Sequence, residues 1–281
     1  TDIAGMLGLS GENFKLIDTT KIEEKIEAIK SSNVLNLGGE KVIPFVYGEH
    51  LILNKQKSLD FHPNGMIFRA VFLNGEDLIQ DYYSLGGGFI ATQEENSYEK
   101  DCIRTLYPCH SGAALIKNIE KLGLEKVSDL IILNEESWRT KEETQKEALY
   151  IWDQIVECIY KGVNKEGILP GGLKVTRRAA GLNRKLLGDK IYRNKEEWFQ
   201  LLIDSEESFT SISKWVSCFA LAVNEENASF GRIITAPTNG ASGVIPAVLM
   251  YARAFTQNCT EDDIIRFVLV AGEIGTLFKK N

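Results

Sequence analysis

The chain has 281 residues, of which 44% are hydrophobic and 25% are charged, and these proportions are typical of a globular protein with one large or two modest domains. Its net charge of −7 argues against general nucleic-acid binding, which needs a basic surface. The longest apolar runs are far shorter than a membrane span and the first residues lack the basic pattern of a secretory signal, so we expect a cytoplasmic protein.

Strand and helix patterns alternate from residue 1 to about residue 100. The segment TTKIEEKIEAIKSS is typical of a helix, and it opens at Thr20 with Glu23 at the spacing of a capping box. The segments KVIPFVY and HLILN follow and predict two short strands.

A β-hairpin is the clearest element in this first part of the chain. Apolar residues alternate on both sides of Asn74 and Gly75, and we expect these two residues to form a tight turn with positive φ. The returning strand leads into Gly86, Gly87 and Gly88. Backbone without side chains can approach a ligand closely, although a turn at a sheet edge explains three glycines about equally well.

Helical patterns dominate after about residue 100. Ser111 is a candidate N-cap and Gly123 a candidate stop for one helix, and residues 141–163 form a long amphipathic pattern. Further helices are predicted at residues 209–227, 244–255 and 261–279. The sequence therefore predicts an α+β protein, with an N-terminal α/β domain that contains an antiparallel hairpin (1–100) and an all-α domain (101–281).

His62 is the first candidate for chemistry, because it precedes Pro63 and a turn-forming Asn64 at the mouth of the hairpin. Imidazole exchanges protons near neutral pH, but a lone histidine in a turn is more often only a surface residue. Cys109 and His110 are adjacent and also suggest a thiol nucleophile, which would need a third, orienting group.

The segment LPGGLKVTRRAAG combines glycines with basic residues. Lys174 is a conceivable Schiff-base lysine for pyridoxal phosphate, although a solvated basic loop is the plainer explanation. Arg177 or Arg178 could instead pair with a substrate carboxylate through two parallel hydrogen bonds.

The most unusual region is WVSCFALAVNEENASFGRIITAPTNGASG. Four polar residues, 224–227, end a helix, and Ser242 and Gly243 are expected at the N-terminus of the next helix, where backbone N–H groups favour an anion such as a carboxylate. Helix capping alone needs fewer hydroxyl and amide groups than this segment carries, so we interpret it as part of a ligand site.

Taken in order, five segments resemble the bacterial iron–sulfur L-serine dehydratase family over nearly the whole chain. They are HPNGM, YYSLGGGFI, GILPGGLKVTRRA, ALAVNEENASFGRIITAPTNGASGVIPAVLMY and AGEIGTLFKKN. The resemblance implies an L-serine ammonia-lyase, a carbon–oxygen lyase of amino-acid degradation that supplies pyruvate for gluconeogenesis. It also implies a beta-type domain at 1–100, an alpha-type domain at 101–281 and a homodimer that binds L-serine, with neither nucleic acid nor membrane as a partner.

The resemblance also assigns site residues. It implies that His62 is catalytic, either as the base or by orienting serine. The residues it implies for substrate binding are Asn64, Gly86, Gly87, Gly88, Thr238, Asn239 and Gly240. The implied cofactor is a 4Fe-4S cluster, but none of Cys102, Cys109, Cys158, Cys218 and Cys259 matches a ligand position of the family. Thr1 and Asn281 look like the cut ends of a longer protein, so we expect the cluster cysteines outside this sequence.

Two other interpretations stay open at this point. The chain could be a serine-binding regulatory module without catalysis, since the cluster ligands are not among its residues. It could also be a pyridoxal phosphate dehydratase that uses Lys174.

Overall fold

The computed structural model describes residues 2–54, 56–86, 89–93, 104–205, 208–229, 231–232 and 239–279. The chain divides into two compact units, Thr1–Tyr98 and Glu99–Asn281. The first contains small antiparallel sheets and the second is helical, which confirms the α+β class.

The first unit begins with a small layer of two helices and two strands. These elements are α1 (Asp2–Leu9), α2 (Ile22–Ser32), β1 (Val34–Leu37) and β2 (Lys41–Pro44), with β1 and β2 antiparallel. Met6, Ile26, Leu35 and Phe45 form its buried core. Strand β2 stops at Pro44, which has no N–H to continue a ladder.

Two predictions for this layer are wrong. Asp18, not Thr20, accepts the capping hydrogen bond, from the backbone N–H of Thr20, and a 3₁₀ turn at Thr19–Lys21 separates it from α2. The segment HLILN contains only an isolated bridge between Leu51 and Tyr47. In the first case a side-chain contact of Asp18 replaces the predicted cap, and in the second a single bridge replaces the predicted strand.

The hairpin forms a three-stranded sheet of β3 (Gly65–Val71), β4 (Asp77–Gly86) and β5 (Phe89–Ala91), in that spatial order. Its turn has three residues, 73–75, because Phe72 N–H donates to the Glu76 carbonyl at 2.8 Å and only Gly75 has a positive φ, of 85°. Positive φ at Asn74 was therefore a wrong prediction. The asparagine instead accepts from Glu76 N–H at 3.1 Å, and the glycine alone takes the left-handed conformation.

The second unit is a set of packed helices. Their bounds are α3 (Gly112–Leu122), α4 (Val127–Glu135), α5 (Lys141–Asn164), α6 (Ala179–Leu187), α7 (Lys195–Ile203), α8 (Phe209–Asn227), α9 (Asn239–Phe255) and α10 (Glu261–Lys279). Ser111 caps α3 by accepting from Ala114 N–H at 3.2 Å, and Gly123 ends it with φ 64°, as the sequence predicts. Among the described residues, none of these helices is both long and apolar enough to cross a membrane.

Helix α8 lies at the centre of this unit and packs on α5, α6 and α9. Trp215, Cys218, Phe219 and Ala222 are almost completely buried along it. At Gly162 of α5 the two backbones approach so closely that an added Cβ would stand 2.6 Å from the Ala222 carbonyl oxygen.

Helix α9 begins at Asn239, five residues before the predicted start at residue 244. Pro246 therefore lies inside the helix, where it has no backbone N–H to donate to a carbonyl of the preceding turn. Proline is usually tolerated in the first turn, which is why the sequence pattern favours a later start.

We expect Gly162→Ala to lower the free energy of unfolding by about 1–3 kcal/mol, because the new methyl group overpacks the contact with Ala222. Urea denaturation followed by circular dichroism measures the effect. Gly181→Ala is the matched control, because Gly181 lies in α6 with open space around it and should gain about 0.5–1 kcal/mol from helix propensity. Equal stability of the Gly162→Ala variant and the parent would contradict the close approach.

Candidate functional site

The last turn of α8 concentrates polar groups inside the helical unit. Asn224 and Asn227 stand three positions apart and so share one helix face, while Glu225 and Glu226 lie between them. Both glutamates are buried, at 4% and 3% exposure. The two glutamates therefore form a buried acidic side of the last turn of α8, and the two asparagines form a separate amide side.

Arg177 supplies the cation for this buried acidic side. Its guanidinium donates to the Glu226 carboxylate at 2.7 Å, to the Glu225 carbonyl at 3.3 Å and to the hydroxyl of Ser229. The side chains of Arg177 and Glu226 are only 2% and 4% exposed. We refer to Arg177, Glu225, Glu226 and Ser229 as the Arg177 cluster.

Glu225 binds the start of α6. Its carboxylate accepts from the backbone N–H of Arg178 at 2.7 Å and from that of Ala179 at 3.3–3.4 Å. These are N–H groups that a helix cannot satisfy internally, and the positive end of the helix dipole also favours a carboxylate there. The N-terminal end of α6 thus balances the buried charge of Glu225, and Arg177 balances that of Glu226.

The amide side faces the first turns of α9. Asn227 donates from Nδ2 to the Ser242 hydroxyl at 3.2 Å, and Ser242 is 2% exposed. A Cβ on Gly243 would stand 2.6 Å from Nδ2 of Asn224. Only glycine therefore lets the start of α9 lie this close to the end of α8.

Two thiols border the buried charges. Burial, with Glu226 nearby, raises the pKa of Cys158 to about 12, and burial beside Glu225 raises that of Cys218 to about 12. Cys218 Sγ also donates to the Ala179 carbonyl at 3.5 Å. Both thiols are consequently protonated at neutral pH and behave as small apolar groups.

Cys158 and Cys218 are therefore unsuitable as ligands of an iron–sulfur cluster, because such a cluster binds thiolates. In the described ranges no three His, Cys, Asp or Glu side chains are grouped so that they could hold a metal ion. Cys102 lies outside the described residues, Cys109 donates to the Tyr107 carbonyl within a buried apolar cluster, and Cys259 is half-buried with a raised pKa caused mainly by burial.

In the first unit, His62 lies three residues before β3 and is half-buried. Its Nδ1 accepts from Asn64 N–H at 3.2 Å, and the Asn64 carbonyl accepts from Ser84 N–H at 2.9 Å. Because Nδ1 accepts, the neutral ring carries its proton on Nε2. The local turn therefore presents His62 as a hydrogen-bond donor.

The structure describes some of the remaining predicted site residues but not all of them. Gly86 ends β4 and pairs with Phe89, whereas Gly87, Gly88 and Thr238 lie outside the described residues. Asn239 and Gly240 are the first two residues of α9 and lie before the predicted helix start at residue 244.

The structure also describes the three other candidates, Lys174, the Cys109–His110 pair and Arg177. Lys174 is exposed with φ 51°, in a loop closed by the Ile168–Thr176 bridge. His110 is exposed, whereas the neighbouring Cys109 is buried. The idea that Arg177 pairs with a substrate carboxylate is contradicted, because Glu226 already occupies its guanidinium.

Comparison with known proteins gives a consistent result. Residues 1–95 match the family described as "Serine dehydratase beta chain" and residues 120–281 match "Serine dehydratase alpha chain". The whole chain is 39% identical to an "L-serine dehydratase" of Streptomyces coelicolor, 38% to one of Haemophilus influenzae and 34% to "L-serine dehydratase 1" of Escherichia coli. It spans 59% of the length of each of these relatives.

We expect the thiol of Cys218 to make the protein less stable as pH rises from about 9 towards 12. The unfolded chain loses this proton near pH 9 while the folded chain retains it, so the free energy of unfolding falls by about 1.4 kcal/mol per pH unit from this group. Below pH 9 the thiol is protonated in both states and contributes no slope.

Urea denaturation of Cys218→Ala between pH 9 and 11 measures this contribution, and its slope against pH should be shallower by that amount. Ser217→Ala, an exposed change on the same helix, should keep the parent slope. Identical slopes for the parent and Cys218→Ala would show that the thiol is not held protonated by the fold.

Proposed function

The chain belongs to the serine dehydratase family, and on this premise we propose that it forms part of an L-serine dehydratase, which converts L-serine to pyruvate and ammonia. The observation that carries the proposal is the order of the two matches, beta chain at 1–95 and alpha chain at 120–281. The names of the relatives, which match over the full length of this chain, support the substrate.

The reaction removes the Cα proton and the β-hydroxyl of serine, and the resulting aminoacrylate tautomerises and is hydrolysed to pyruvate and ammonia. Hydroxide is a poor leaving group, and a bound 4Fe-4S cluster would supply the Lewis acidity that assists its departure. The cysteines described in this chain do not fit as its ligands, so the proposal assigns that role to residues outside these 281 positions.

The first turn of α9 is proposed to hold the serine carboxylate. The positive end of the dipole of a helix of 17 residues favours an anion near its first turn. Gly240 is exposed, and an added Cβ there would meet nothing within 4 Å, so a small ligand has room beside the backbone. Thr238 and Asn239 complete this proposed set.

In the first unit, His62 is proposed to orient serine by donating from Nε2. A ring that acted as a base through Nε2 would need its proton on Nδ1, and this would disrupt the hydrogen bond from Asn64 N–H. The contact therefore supports the orienting role over the base. Asn64, Gly86, Gly87 and Gly88 are proposed as further substrate-binding residues, because glycine backbone can approach a small polar ligand closely and its N–H groups can bind an anion.

Further parts of the proposal concern the whole protein. We infer a cytoplasmic homodimer that takes part in amino-acid degradation and supplies pyruvate for gluconeogenesis. The net charge of −7 supports a small-molecule partner over nucleic acid.

Anaerobic purification of a protein extended to the length of the relatives tests the proposal. Broad visible absorbance, iron in the ratio of a 4Fe-4S cluster, and pyruvate and ammonia formed in equal amounts from L-serine are the expected results. Serine binding without turnover in iron-loaded protein would contradict it, and so would absorbance from a lysine aldimine that disappears on Lys174→Ala.

We expect His62→Ala to lower kcat by about 10²-fold or more, while the fold survives, because a positioned donor is lost. His62→Gln retains an N–H donor near the Nε2 position and should recover part of the rate if the residue orients serine. His50→Ala is the matched control, because Nδ1 of His50 also accepts a backbone N–H, that of Val46 at 2.8 Å. Equal rates for His62→Ala and His50→Ala would remove His62 from the mechanism.

A further inference from the structure

The Arg177 cluster buries three charged side chains, Arg177, Glu225 and Glu226. Taking charges out of water is costly, and well-packed apolar residues of similar volume often give equal or greater stability. Stability alone therefore does not account for these charges. What they do provide is a fixed geometry between chain segments that are far apart in sequence.

The cluster and its neighbours bind both flanks of positions 233–238. Before these positions, Ser229 accepts from Arg177, and Gly231 N–H donates to the Glu226 carbonyl at 3.1 Å. An added Cβ on Gly231 would stand 2.6 Å from Oε2 of Glu226, so this backbone lies directly against the carboxylate. After them, Ser242 accepts from Asn227 on the same helix end.

We propose that Arg177 and Glu226 are positioning residues, which hold the last turn of α8 so that Asn227 fixes the first turn of α9. They act on α9 through Asn227, which donates to Ser242. The consequence for catalysis rests on the proposed function, in which the first turn of α9 binds the substrate carboxylate.

The chemistry of the arginine side chain suits this role. Its planar group reaches three acceptors on three residues, the Glu226 carboxylate, the Glu225 carbonyl and the Ser229 hydroxyl. A lysine ammonium carries the same charge on a single nitrogen and cannot reproduce this fork. Charge and geometry are therefore separable by substitution.

Hydrogen exchange on the 281-residue chain measures the positioning directly. The amides of residues 243–245 close the first turn of α9, since each donates to a carbonyl four residues earlier. In the double variant Arg177→Met, Glu226→Leu we expect these amides to exchange at least about tenfold faster, while the core amides of α5 keep the parent rate. Arg177→Lys should also accelerate exchange, although the charge is retained.

The double variant Arg184→Met, Glu166→Leu is the matched control. It removes the ion pair between Arg184 and Glu166, whose side chains are 65% and 63% exposed. This change should leave hydrogen exchange at residues 243–245 unchanged. Parent-like exchange in a folded Arg177→Met, Glu226→Leu variant would overturn the proposal. If that variant does not fold, parent-like exchange in Arg177→Lys overturns it and faster exchange supports it.

Kinetics of the same substitutions, made in the protein extended to the length of the relatives, test the catalytic consequence. With serine turnover established for the parent protein, we expect kcat/KM of Arg177→Lys to fall by about 10²-fold, since small displacements of binding groups are costly to rate. Faster exchange with parent-like kcat/KM would overturn the link to catalysis while leaving the positioning intact. Absence of turnover in the parent would instead count against the proposed function alone.

Discussion

The buried ion pair between Arg177 and Glu226 is the interaction on which the proposed site depends. Residues 49 positions apart in sequence meet here at 2.7 Å, and the same arginine also reaches Ser229 beyond the end of α8. Glu225, the residue before Glu226, accepts from the first N–H groups of α6. The start of one helix, the end of another and the turn that follows are thus held by a few charge-assisted hydrogen bonds, which keep strict geometry when water is excluded.

Elements that follow from local chemistry could be predicted from the sequence. Helix α8 has the predicted bounds because its apolar pattern is long and its flanks are polar. The cap at Ser111 and the stop at Gly123 depend only on neighbouring residues. The hairpin was also identified, but its loop has three residues, because Asn74 uses its side chain to bond Glu76 and so needs no positive φ.

Features that depend on distant partners could not be predicted. The early start of α9 needs Asn227 and Asn224 from another helix beside Ser242 and Gly243, and nothing in residues 239–246 alone indicates this. The basic loop offered Arg177 and Arg178 equally as carboxylate ligands, yet only the fold makes the first an internal partner. One feature of the site could be read from the sequence. Two asparagines three positions apart, with two glutamates between them, place the acids and the amides on different faces of a helix.

We propose that serine binds where α8 ends and α9 begins. Hydrogen exchange of the chain with and without L-serine, with D-serine as the control, tests this most directly. We expect L-serine to slow exchange at residues 243–245 and in the last turn of α8, and D-serine to have a much smaller effect. Binding of L-serine that protects other segments and leaves both of these unchanged would contradict the account.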